Sequence, residues 1–318
     1  MHASARLSRA RALAAGAGTL ALWPNIIRAQ TLDKVRLAGV ATDDLTPVYY
    51  AIKNGLYQKA GLDVEIVPTS SGTAATEAVV SGAYELGKGS LIASLVAHLK
   101  GLPLTIIGNG AVWDPKSPFT LMVVPADSAV KSGADLNGKT LSTAALKDLN
   151  ELAMTAWIDK TGGDASTTQW IELSNSAAGA ALADHRVAAT SLNEPQLSDA
   201  LAGGKVRVLA PCYSAISDHF AFTVFFAQPD WAAKNADAIR RWVRVTYAAA
   251  AYTNAHHAET APMMADVTKI PLAVISKMAR TNAATSGDPA LIQPAIAAAA
   301  KYGYITRAFA AKEAYFGT

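Results

Sequence analysis

Strand-like and helix-like segments alternate between residues 34 and 107, and only a few residues separate one segment from the next. Lys34–Val40 is a short strand pattern, and Asp63–Val67 alternates polar and apolar residues as a half-buried strand does. Pro47 stands at a helix start between them. Two more strands are predicted at Tyr84–Gly87 and Leu104–Ile107, each after a helical pattern. This rhythm predicts a mainly parallel sheet covered by helices.

The same rhythm restarts at the strand Phe119–Val124 and continues to the strand Val206–Leu209. A further apolar strand, Phe220–Ala227, precedes a long helix that starts near Pro229, after which the chain is almost wholly helical. No low-complexity linker separates the two units. We therefore predict an α/β protein of two lobes, each a mainly parallel sheet flanked by helices. Lobe 1 comprises residues 30–116 and 228–318, and lobe 2 comprises residues 117–227.

The first 29 residues have the pattern of a secretory signal. Arg6, Arg9 and Arg11 form a basic region, Ala12–Leu22 is apolar, and Ala29 ends a site suited to cleavage. The alternative is an uncleaved anchor, but the apolar run is shorter than the roughly 20 residues needed to span a bilayer. Export to the periplasm, by the general or the twin-arginine route, is the prediction.

Removing this segment changes the charge of the protein. It contains four of the 28 basic residues and no acidic residue, which leaves 24 basic and 25 acidic residues, a net charge of −1. No nucleic-acid or acidic-membrane partner is therefore predicted. Cys212 is the single cysteine, so the chain has no intrachain disulfide and no metal site built on cysteines. No cofactor is predicted.

The segment SGAYELGKGS, residues 81–90, nearly matches a phosphate-binding loop, but Gly89 stands where the hydroxyl residue should be. A phosphate loop also needs a strand before its first glycine, and here the preceding pattern is helical. We interpret Gly82 as the end of that helix and Gly87 and Gly89 as a strand-to-helix turn. Ser90 is then the N-cap of the next helix, and nucleotide binding is not predicted.

Three loops follow the predicted carboxyl ends of strands and open helices with small polar residues: residues 42–47, 69–73 and 88–90. In open α/β sheets, ligands bind at this edge. Helix N-termini offer free N–H donors and a partial positive charge, which suit carboxylate, sulfonate or phosphate groups. The three loops together predict a ligand cleft.

The chain resembles the periplasmic substrate-binding proteins of nitrate, sulfonate, taurine and thiamine-pyrimidine ABC importers. The resemblance covers essentially the whole mature chain. It departs at Glu85, where the family usually has Asp, and at Lys88, which is unusual so near the cleft. The segments that carry it are PVYYAIKNGLY at 47–57, GLDVE at 61–65, SGAYELG at 81–87, KGLP at 100–103, DLNGK at 135–139 and NEP at 193–195.

The resemblance implies a type II periplasmic binding fold that closes on a ligand held in the cleft between its lobes. The contacts it implies are Thr42, Asp43, Thr46, Ser71, Thr73, Ser90 and Asn109 from lobe 1, and Lys147, Asn150, Glu194 and His219 from lobe 2. For several of these residues, a purely structural role is the alternative to ligand contact. Thr73, Ser90 and Asn150 are also explained as N-caps, Glu194 as a cap of the helix begun by Pro195, Lys147 as a solvated lysine and His219 as a structural histidine.

The predicted function is capture of a small organic anion and its delivery to a membrane permease with an ATPase subunit, by a monomeric binding protein. Lys88, Lys147 or His219 would supply positive charge. A pyrimidine or flavin vitamin precursor is the alternative ligand, and a ligand sensor is the alternative role. Some pyrimidine-precursor synthases also resemble this family, with pyridoxal phosphate held by lysine and a cysteine-rich stretch. The single cysteine and the export signal argue against such an enzyme.

Overall fold

The computed structural model describes residues 32–69 and 71–317. The predicted signal segment and its cleavage site after Ala29 lie outside the described residues. Within these two ranges, no helix is both long enough and apolar enough to cross a membrane.

Short strands and helices alternate along the chain. The strands are β1 (Asp33–Gly39), β2 (Leu62–Pro68), β3 (Leu86–Ser90), β4 (Thr105–Asn109), β5 (Ala111–Trp113), β6 (Thr120–Pro125), β7 (Thr140–Thr143), β8 (Gln169–Glu172), β9 (Ala189–Asn193), β10 (Val206–Ala210), β11 (Phe220–Ala221), β12 (Thr223–Ala227) and β13 (Asn282–Ala283). The helices are α1 (Thr46–Lys53), α2 (Leu56–Lys59), α3 (Gly72–Val80), α4 (Leu91–Leu99), α5 (Leu149–Lys160), α6 (Asn175–Ala183), α7 (Gln196–Ala202), α8 (Pro229–Lys234), α9 (Ala236–Ala255), α10 (His257–Thr268), α11 (Leu272–Ile275) and α12 (Gln293–Lys301).

The first sheet has the strand order β2-β1-β3-β12-β4. β1 pairs in parallel with β2 and β3, whereas β12 is antiparallel to both of its neighbours. Helices α1 and α9 pack against this sheet, and Leu37, Phe225 and Trp242 belong to the apolar cluster between them. β12 joins the sheet only after the chain has built the second one.

The second sheet has the order β10-β6-β9-β7-β8. Here β7 pairs in parallel with β8 and β9, and β6 is antiparallel to β9 and β10. Among the described strands, each large sheet thus has four strands in one direction and one reversed, so the prediction of two mainly parallel sheets is confirmed. The reversed strands, β6 and β12, are the first to follow a passage of the chain between the sheets.

A small antiparallel sheet, β11-β5-β13, lies where the chain passes between the two large sheets, and we call it the connecting sheet. Four aromatic rings pack beside it, namely Trp113, Phe119, Tyr213 and Phe222. Trp113 and Tyr213 are 5.2 Å apart at their centroids, and Phe119 and Phe222 are 5.1 Å apart. These rings form an apolar junction between the lobes.

The segment that resembled a phosphate loop differs in part from the prediction. Gly82 follows α3 with a φ of 78°, as expected for a helix end. However, Gly87 and Gly89 lie within β3 and not in a turn. The reason is packing, since a Cβ on Gly87 would lie 2.2 Å from Cε2 of Phe226 on the neighbouring strand. Ser90 occupies the N-cap position of α4, but its side chain makes no capping hydrogen bond.

Two boundaries also differ from the prediction. The long helix expected from Pro229 is divided into α8 and α9 at Asn235, whose φ of −119° is not helical. The predicted lobe boundary counts Thr223–Ala227 with lobe 2, whereas this strand pairs with β3 and β4 of the first sheet. A strand that crosses between lobes is assigned by its hydrogen-bond partners, and these are distant in sequence.

Candidate functional site

A cavity of about 440 Å³ lies between the two large sheets and beside the connecting sheet. Residues of both lobes line it. On the first lobe, the wall consists of Thr42–Asp44 after β1, Ser71 and Gly72 after β2, and Lys88–Ser90 at the end of β3. The three loops meet because β1, β2 and β3 are parallel and end at the same edge of the sheet.

The second lobe contributes its own strand ends and helix starts. Asp148–Asn150 lie at the start of α5, and Ser174 and Asn175 lie at the start of α6. Asn193 ends β9, and Glu194 follows it. The preceding strands β7, β8 and β9 are parallel, which brings these three segments to one edge. Two similar sheet edges thus face each other across the cavity.

Apolar groups complete the wall at the junction of the lobes. Phe119 and Phe222 both line the cavity, and their rings pack edge to face with an interplanar angle of 81°. Ala111 of the connecting sheet lies beside them in the wall. A ligand in the cavity would therefore contact the segment that joins the two lobes.

A buried ion pair forms part of the first-lobe wall. The ammonium group of Lys88 donates to Asp44 at 2.7 Å and to the Thr42 hydroxyl at 3.0 Å, and Thr223 also donates to Asp44 at 3.0 Å. Both charged side chains are less than a tenth exposed. Burial opposes the charge of Asp44, but the Lys88 ammonium outweighs it and holds the pKa of this carboxyl below its usual range. Lys88 is thus turned inward and is already paired.

A second buried pair lies next to the first. Arg280 contacts Asp43 at 2.7 Å, and the backbone N–H of Thr281 donates to the other Asp43 oxygen at 2.7 Å. The Thr46 hydroxyl donates to the Asp43 carbonyl at 2.6 Å and accepts from Arg280 at 3.3 Å. Thr46 therefore supports the loop that holds Asp43 and is not part of the cavity wall, in contrast to its predicted ligand contact.

Asp148 is a carboxylate of the cavity wall without a cationic partner among the described residues. It is the N-cap of α5, where it accepts from the Glu151 N–H and from the Thr143 hydroxyl, both at 2.9 Å. Burial raises the pKa of Asp148 to about 6 despite these hydrogen bonds, and the negative charge of Glu151 adds to the rise.

Glu194 is the second carboxylate of the wall without a cationic partner in the described ranges. It accepts hydrogen bonds from the Ser198 N–H at 3.0 Å and from the Ser198 hydroxyl at 2.9 Å. These bonds fit the alternative role predicted for Glu194, a cap of the helix begun by Pro195. Burial raises the pKa of Glu194, and the charge of Asp43 on the opposite lobe contributes. The adjacent Asn193 has a buried Oδ1 atom that accepts no hydrogen bond from the residues the structure describes.

The structure brings six of the eleven predicted contacts to the cavity: Thr42, Asp43, Ser71, Ser90, Asn150 and Glu194. Several have contacts of their own there. Ser71 caps α3 by accepting from the Ala74 N–H at 3.1 Å, and buried Asn150 accepts from the hydroxyl of Tyr213. Ser90 lines the wall without a capping hydrogen bond, which leaves its hydroxyl for a ligand.

Thr46 and four further predicted contacts lie outside the cavity wall. Asn109 is fully buried, donates to the carbonyls of Ser286 and Asp288, and accepts from the Tyr315 hydroxyl, so it fixes the C-terminal segment. Thr73 and His219 are exposed. Lys147 is also exposed, with its ammonium 4.6 Å from the centre of the Tyr304 ring.

The groups that were expected to attract an anion are therefore not available in the cavity. Lys88 is neutralised by Asp44, and neither Lys147 nor His219 belongs to the wall. Sequence reasoning did not include Asp148, Phe119 or Phe222 among the contacts. Asp148 could have been found, since an Asp directly before an apolar helix is a common N-cap and faces the same edge as the strand ends.

A larger depression of about 650 Å³ lies on the second lobe alone. Its wall includes Asp127, Lys139 and His185, and the last of these lies 3.5 Å from Asp127. None of the predicted contacts lines it, and none of its lining residues belongs to the first lobe. The cleft between the sheets is therefore the candidate site.

Residues 42–260 match the sequence model of the NMT1/THI5 like family. A formylaminopyrimidine-binding protein of Halalkalibacterium halodurans is 29% identical over 119 residues, which cover 37% of this chain and 34% of that protein. A 4-amino-5-hydroxymethyl-2-methylpyrimidine phosphate synthase of Schizosaccharomyces pombe is 26% identical over 101 residues, or 32% of this chain and 28% of that protein. The chain spans about a third of the length of these curated relatives.

Among solved structures, the periplasmic aliphatic sulphonate binding protein of Escherichia coli is similar, with a TM-score of 0.73 and 20% identity. The alignment covers 89% of this chain and 92% of that protein, so the likeness extends over both lobes. At this level of identity it establishes the fold and not the ligand. The chain belongs to the NMT1/THI5-like family and has the two-lobed fold of the periplasmic binding proteins.

Proposed function

We propose that the mature chain is the extracytoplasmic solute-binding component of an ABC importer, which captures a small molecule between its lobes and delivers it to a membrane permease. The observation that supports this proposal is the cavity of about 440 Å³, to which both lobes contribute polar groups at the ends of parallel strands. A cavity of this size suits a small organic ligand and is too small for a folded partner.

The proposed mechanism is capture without chemistry. A ligand first contacts one lobe, and contacts from the other lobe then stabilise a closed form through a hinge motion. The connecting sheet is the expected hinge, because β5 and β11 lie on the two chain segments that run between the large sheets, and β13 pairs with β5. Since Phe119 and Phe222 belong both to this junction and to the cavity wall, ligand contact and closure would be coupled.

In this proposal the closed form, a monomer, presents a surface built from both lobes to the permease, whose ATPase subunit drives transport. The signal peptide predicted from the sequence, with cleavage expected near Ala29, supports a periplasmic location in this proposal. A ligand sensor would use the same cavity and closure. Transport assays after reconstitution with a candidate ABC permease and its ATPase subunit would separate these two roles.

Binding without turnover is proposed, although the synthase of Schizosaccharomyces pombe is a relative. Cys212 is buried and burial raises the pKa of its thiol, so this residue is a poor nucleophile. Lys88, the lysine of the cavity wall, is held by Asp44 and Thr42. If the purified protein alone converted a compound that it binds into a product, the proposal would be contradicted.

The test is a thermal-shift screen of the mature protein against sulfonates, nitrate, aromatic carboxylates, pyrimidines and flavins, followed by small-angle scattering with the best compound. A ligand at 100 times its Kd should stabilise the folded state by about 2.7 kcal/mol. Binding should also reduce the radius of gyration through closure. Stabilisation without any closure, or no stabilisation by any panel compound, would contradict the proposed function.

The site is tested by Ser90→Ala, which removes a hydroxyl of the cavity wall that makes no capping hydrogen bond. We expect weaker binding of the best ligand and an unchanged melting temperature without ligand. Ser81→Ala is the matched control, because Ser81 is exposed at the far end of α3 and does not line the cavity. Equal affinities of the two variants would place the site elsewhere.

A further inference from the structure

The chain after α12 forms a connection between the lobes that the strand order does not show. We call residues 302–316 the C-terminal strap. At its far end, the Phe316 N–H donates to the carbonyl of Ile106 in β4 at 2.8 Å, and the hydroxyl of Tyr315 donates to Asn109 at the end of the same strand. This end of the strap is therefore fixed to the first sheet.

The near end of the strap contacts the second lobe instead. Tyr304 is buried, and its hydroxyl donates to the Glu151 carboxylate at 2.8 Å and lies 3.3 Å from the Thr155 hydroxyl. Both partners belong to α5, which follows β7 of the second sheet. The strap thus joins the two lobes through side-chain contacts, in addition to the two chain segments that run between the large sheets at 113–120 and 210–223.

Glu151 links this contact to the cleft. It is the third residue of α5, and its second carboxylate oxygen accepts from the backbone N–H of Lys147 at 2.7 Å. Its own N–H donates to Asp148, the N-cap of α5 and a residue of the cavity wall. Glu151 is 4% exposed and is in no ion pair of the described residues. One carboxylate therefore connects Tyr304 of the strap with the helix start that carries Asp148 and Asn150 into the wall.

The loop before α5 has a backbone conformation that needs such support. Lys147 has a φ of 59°, in the left-handed region that residues with a side chain rarely adopt. Its N–H is held by Glu151, and its ammonium lies 4.6 Å from the centre of the Tyr304 ring. One contact is made by the strap and the other by the carboxylate that the strap binds. A strained residue that surrounding groups keep in place is typical of functional sites.

Burial makes these contacts difficult to replace by water. Burial and the nearby Glu151 carboxylate raise the pKa of the Tyr304 hydroxyl, which therefore keeps its proton and donates. If α5 moved away from the strap, a buried carboxylate would lose a donor, and this loss opposes the movement. Ile305 and Phe309 of the strap are buried, and the Phe309 ring lies 4.8 Å from that of His98 in α4 of the first lobe. The strap is thus held by the first lobe and does not follow α5 freely.

We propose that Tyr304 and Glu151 are positioning residues, through which the C-terminal strap fixes the start of α5 and limits the angle between the lobes. The cavity wall is then held from outside the cavity, by two residues that do not line it. The inference rests on the proposed function, since a restraint on the lobes matters only if they move. It adds a contact to the hinge formed by the connecting sheet.

Tyr304→Phe tests this connection, because it removes the hydroxyl and keeps the ring beside Lys147. In the ligand-free mature protein, amide hydrogen exchange over residues 147–155 should become about tenfold faster, as expected when a buried carboxylate loses one donor. Tyr302→Phe is the matched control. Its hydroxyl lies 3.1 Å from the ammonium of the exposed Lys301, so the same chemical change should leave this exchange unaltered.

The angle between the lobes is measured by the distance between spin labels at two exposed positions, Lys59→Cys in the first lobe and Asp184→Cys in the second. Cys212 is buried and stays unlabelled. Tyr304→Phe should broaden the ligand-free distance distribution, whereas Tyr302→Phe should leave it as in the parent protein. Unchanged exchange and an unchanged distribution in Tyr304→Phe, or equal changes in both variants, would overturn the inference.

A double variant separates positioning from stability. Tyr304→Phe with Glu151→Gln removes the buried charge as well as its donor, so it should regain part of the melting temperature that Tyr304→Phe loses. The distance distribution should nevertheless stay broad, because the link between the strap and α5 is still missing. If the distribution narrows together with this recovery, or if Tyr304→Phe lowers the melting temperature and leaves the distribution unchanged, the two residues only stabilise the fold and the proposal fails.

Failure of this proposal is distinguishable from failure of the proposed function. If a panel compound closes the lobes of the parent protein in scattering, while Tyr304→Phe and the parent protein have the same distance distribution, the capture function stands and the strap is no restraint. If no panel compound closes the lobes but Tyr304→Phe broadens the distribution, the capture function is wrong and the restraint stands.

Discussion

The two faces of the cleft have a similar architecture, but their carboxylates differ in whether they have cationic partners. On the first lobe, Asp43 and Asp44 have buried cationic partners within 2.7 Å. On the second lobe, Asp148 and Glu194 occupy the equivalent sheet edge and have only hydrogen-bond donors. The pKa of Asp44 is accordingly lowered and the pKa values of Asp148 and Glu194 are raised. Among the described residues, the carboxylates of the first face thus have cationic partners and those of the second face have none.

This difference indicates how the two faces divide their tasks. A buried pair whose hydrogen bonds are satisfied fixes the loop that carries it and contributes little to selecting a charged ligand. A buried carboxylate without a counter-ion lowers the stability of the empty protein and becomes favourable when a cation or a donor arrives. Unsatisfied groups of this kind are expected at functional sites more than elsewhere.

The largest effect is expected from breaking the pair on the first lobe. Lys88→Met should leave the Asp44 carboxylate buried without a partner and lower the free energy of unfolding by about 3–5 kcal/mol. Denaturation in urea measures this change. The double variant Lys88→Met with Asp44→Asn should recover much of the loss. A single variant that is as stable as the parent protein would show that the pair does not complete the first face.

The next effect has the opposite sign and concerns the second lobe. Asp148→Asn should raise the free energy of unfolding of the ligand-free protein by about 1–2 kcal/mol near pH 7.5, because it removes a partly buried charge without a cationic partner among the described residues. The folded pKa of about 6 exceeds the ordinary value of 3.8, so the native state holds the proton more tightly. The contribution of Asp148 is therefore fully present below the ordinary value and is lost as the pH rises through about 6.

Urea denaturation at several pH values measures this slope. The advantage of Asp148→Asn should disappear near pH 4, where the native carboxyl is already neutral. The pair on the first lobe supplies the contrast, because the pKa of Asp44 is lowered and its contribution is lost only as the pH falls below its ordinary range. A variant advantage that is independent of pH would contradict the assignment to charge burial.

A smaller effect of the same sign is expected at the second carboxylate. Glu194→Gln should raise the free energy of unfolding by less than about 1 kcal/mol near pH 7.5, since Glu194 is only partly buried. Ligand-free thermal unfolding is the measurement. If Asp43 contributes to the raised pKa as the structure indicates, Asp43→Asn should reduce the effect of Glu194→Gln in a double-mutant cycle. Additive effects would mean that the two carboxylates do not interact across the cleft.

The smallest effect is expected from an ion pair on the surface of the first lobe. Lys34 and Glu65 are 3.8 Å apart and both are more than half exposed. Lys34→Gln should change the free energy of unfolding by no more than about 0.5 kcal/mol, because solvent screens such pairs. A loss as large as that of Lys88→Met would show that pairing as such, and not burial, determines the contribution of lysine on this lobe.

Much of the fold follows from local patterns in the sequence. The strand patterns at Lys34–Val40 and Asp63–Val67 correspond to β1 and β2, and Pro47 lies in the first turn of α1. Such patterns are readable because alternation and helix-start residues depend on neighbours in the chain. The prediction of a turn at Gly87 and Gly89 is wrong because the role of these glycines depends on residues that are distant in sequence. Gly87 lies within β3, and a Cβ there would lie 2.2 Å from Phe226 of a strand distant in sequence and 2.9 Å from Val79 of α3.

The candidate site was predictable in position but not in detail. Thr42 and Ser71 follow strand ends and Ser90 ends β3, and parallel strands bring these positions to one edge whatever the ligand. Asn109 also ends a strand, yet it is fully buried against the C-terminal segment and bonds Tyr315. Position at a strand end therefore indicates proximity to the cleft. Whether the side chain is accessible from the cleft depends on segments that come later in the sequence and pack against it.

By itself the sequence determined the alternation of strands and helices, the two α/β units and the edge at which polar loops collect. These features depend on interactions between near neighbours and on the shared direction of parallel strands. Only the tertiary structure decided the charge of the cleft. Lys88 is 44 residues from the Asp44 that neutralises it, and Asp148 has no cation beside it in the described structure. The electrostatic state of a carboxylate depends on every group that surrounds it in space, and for these residues those groups come from several distant segments of the chain.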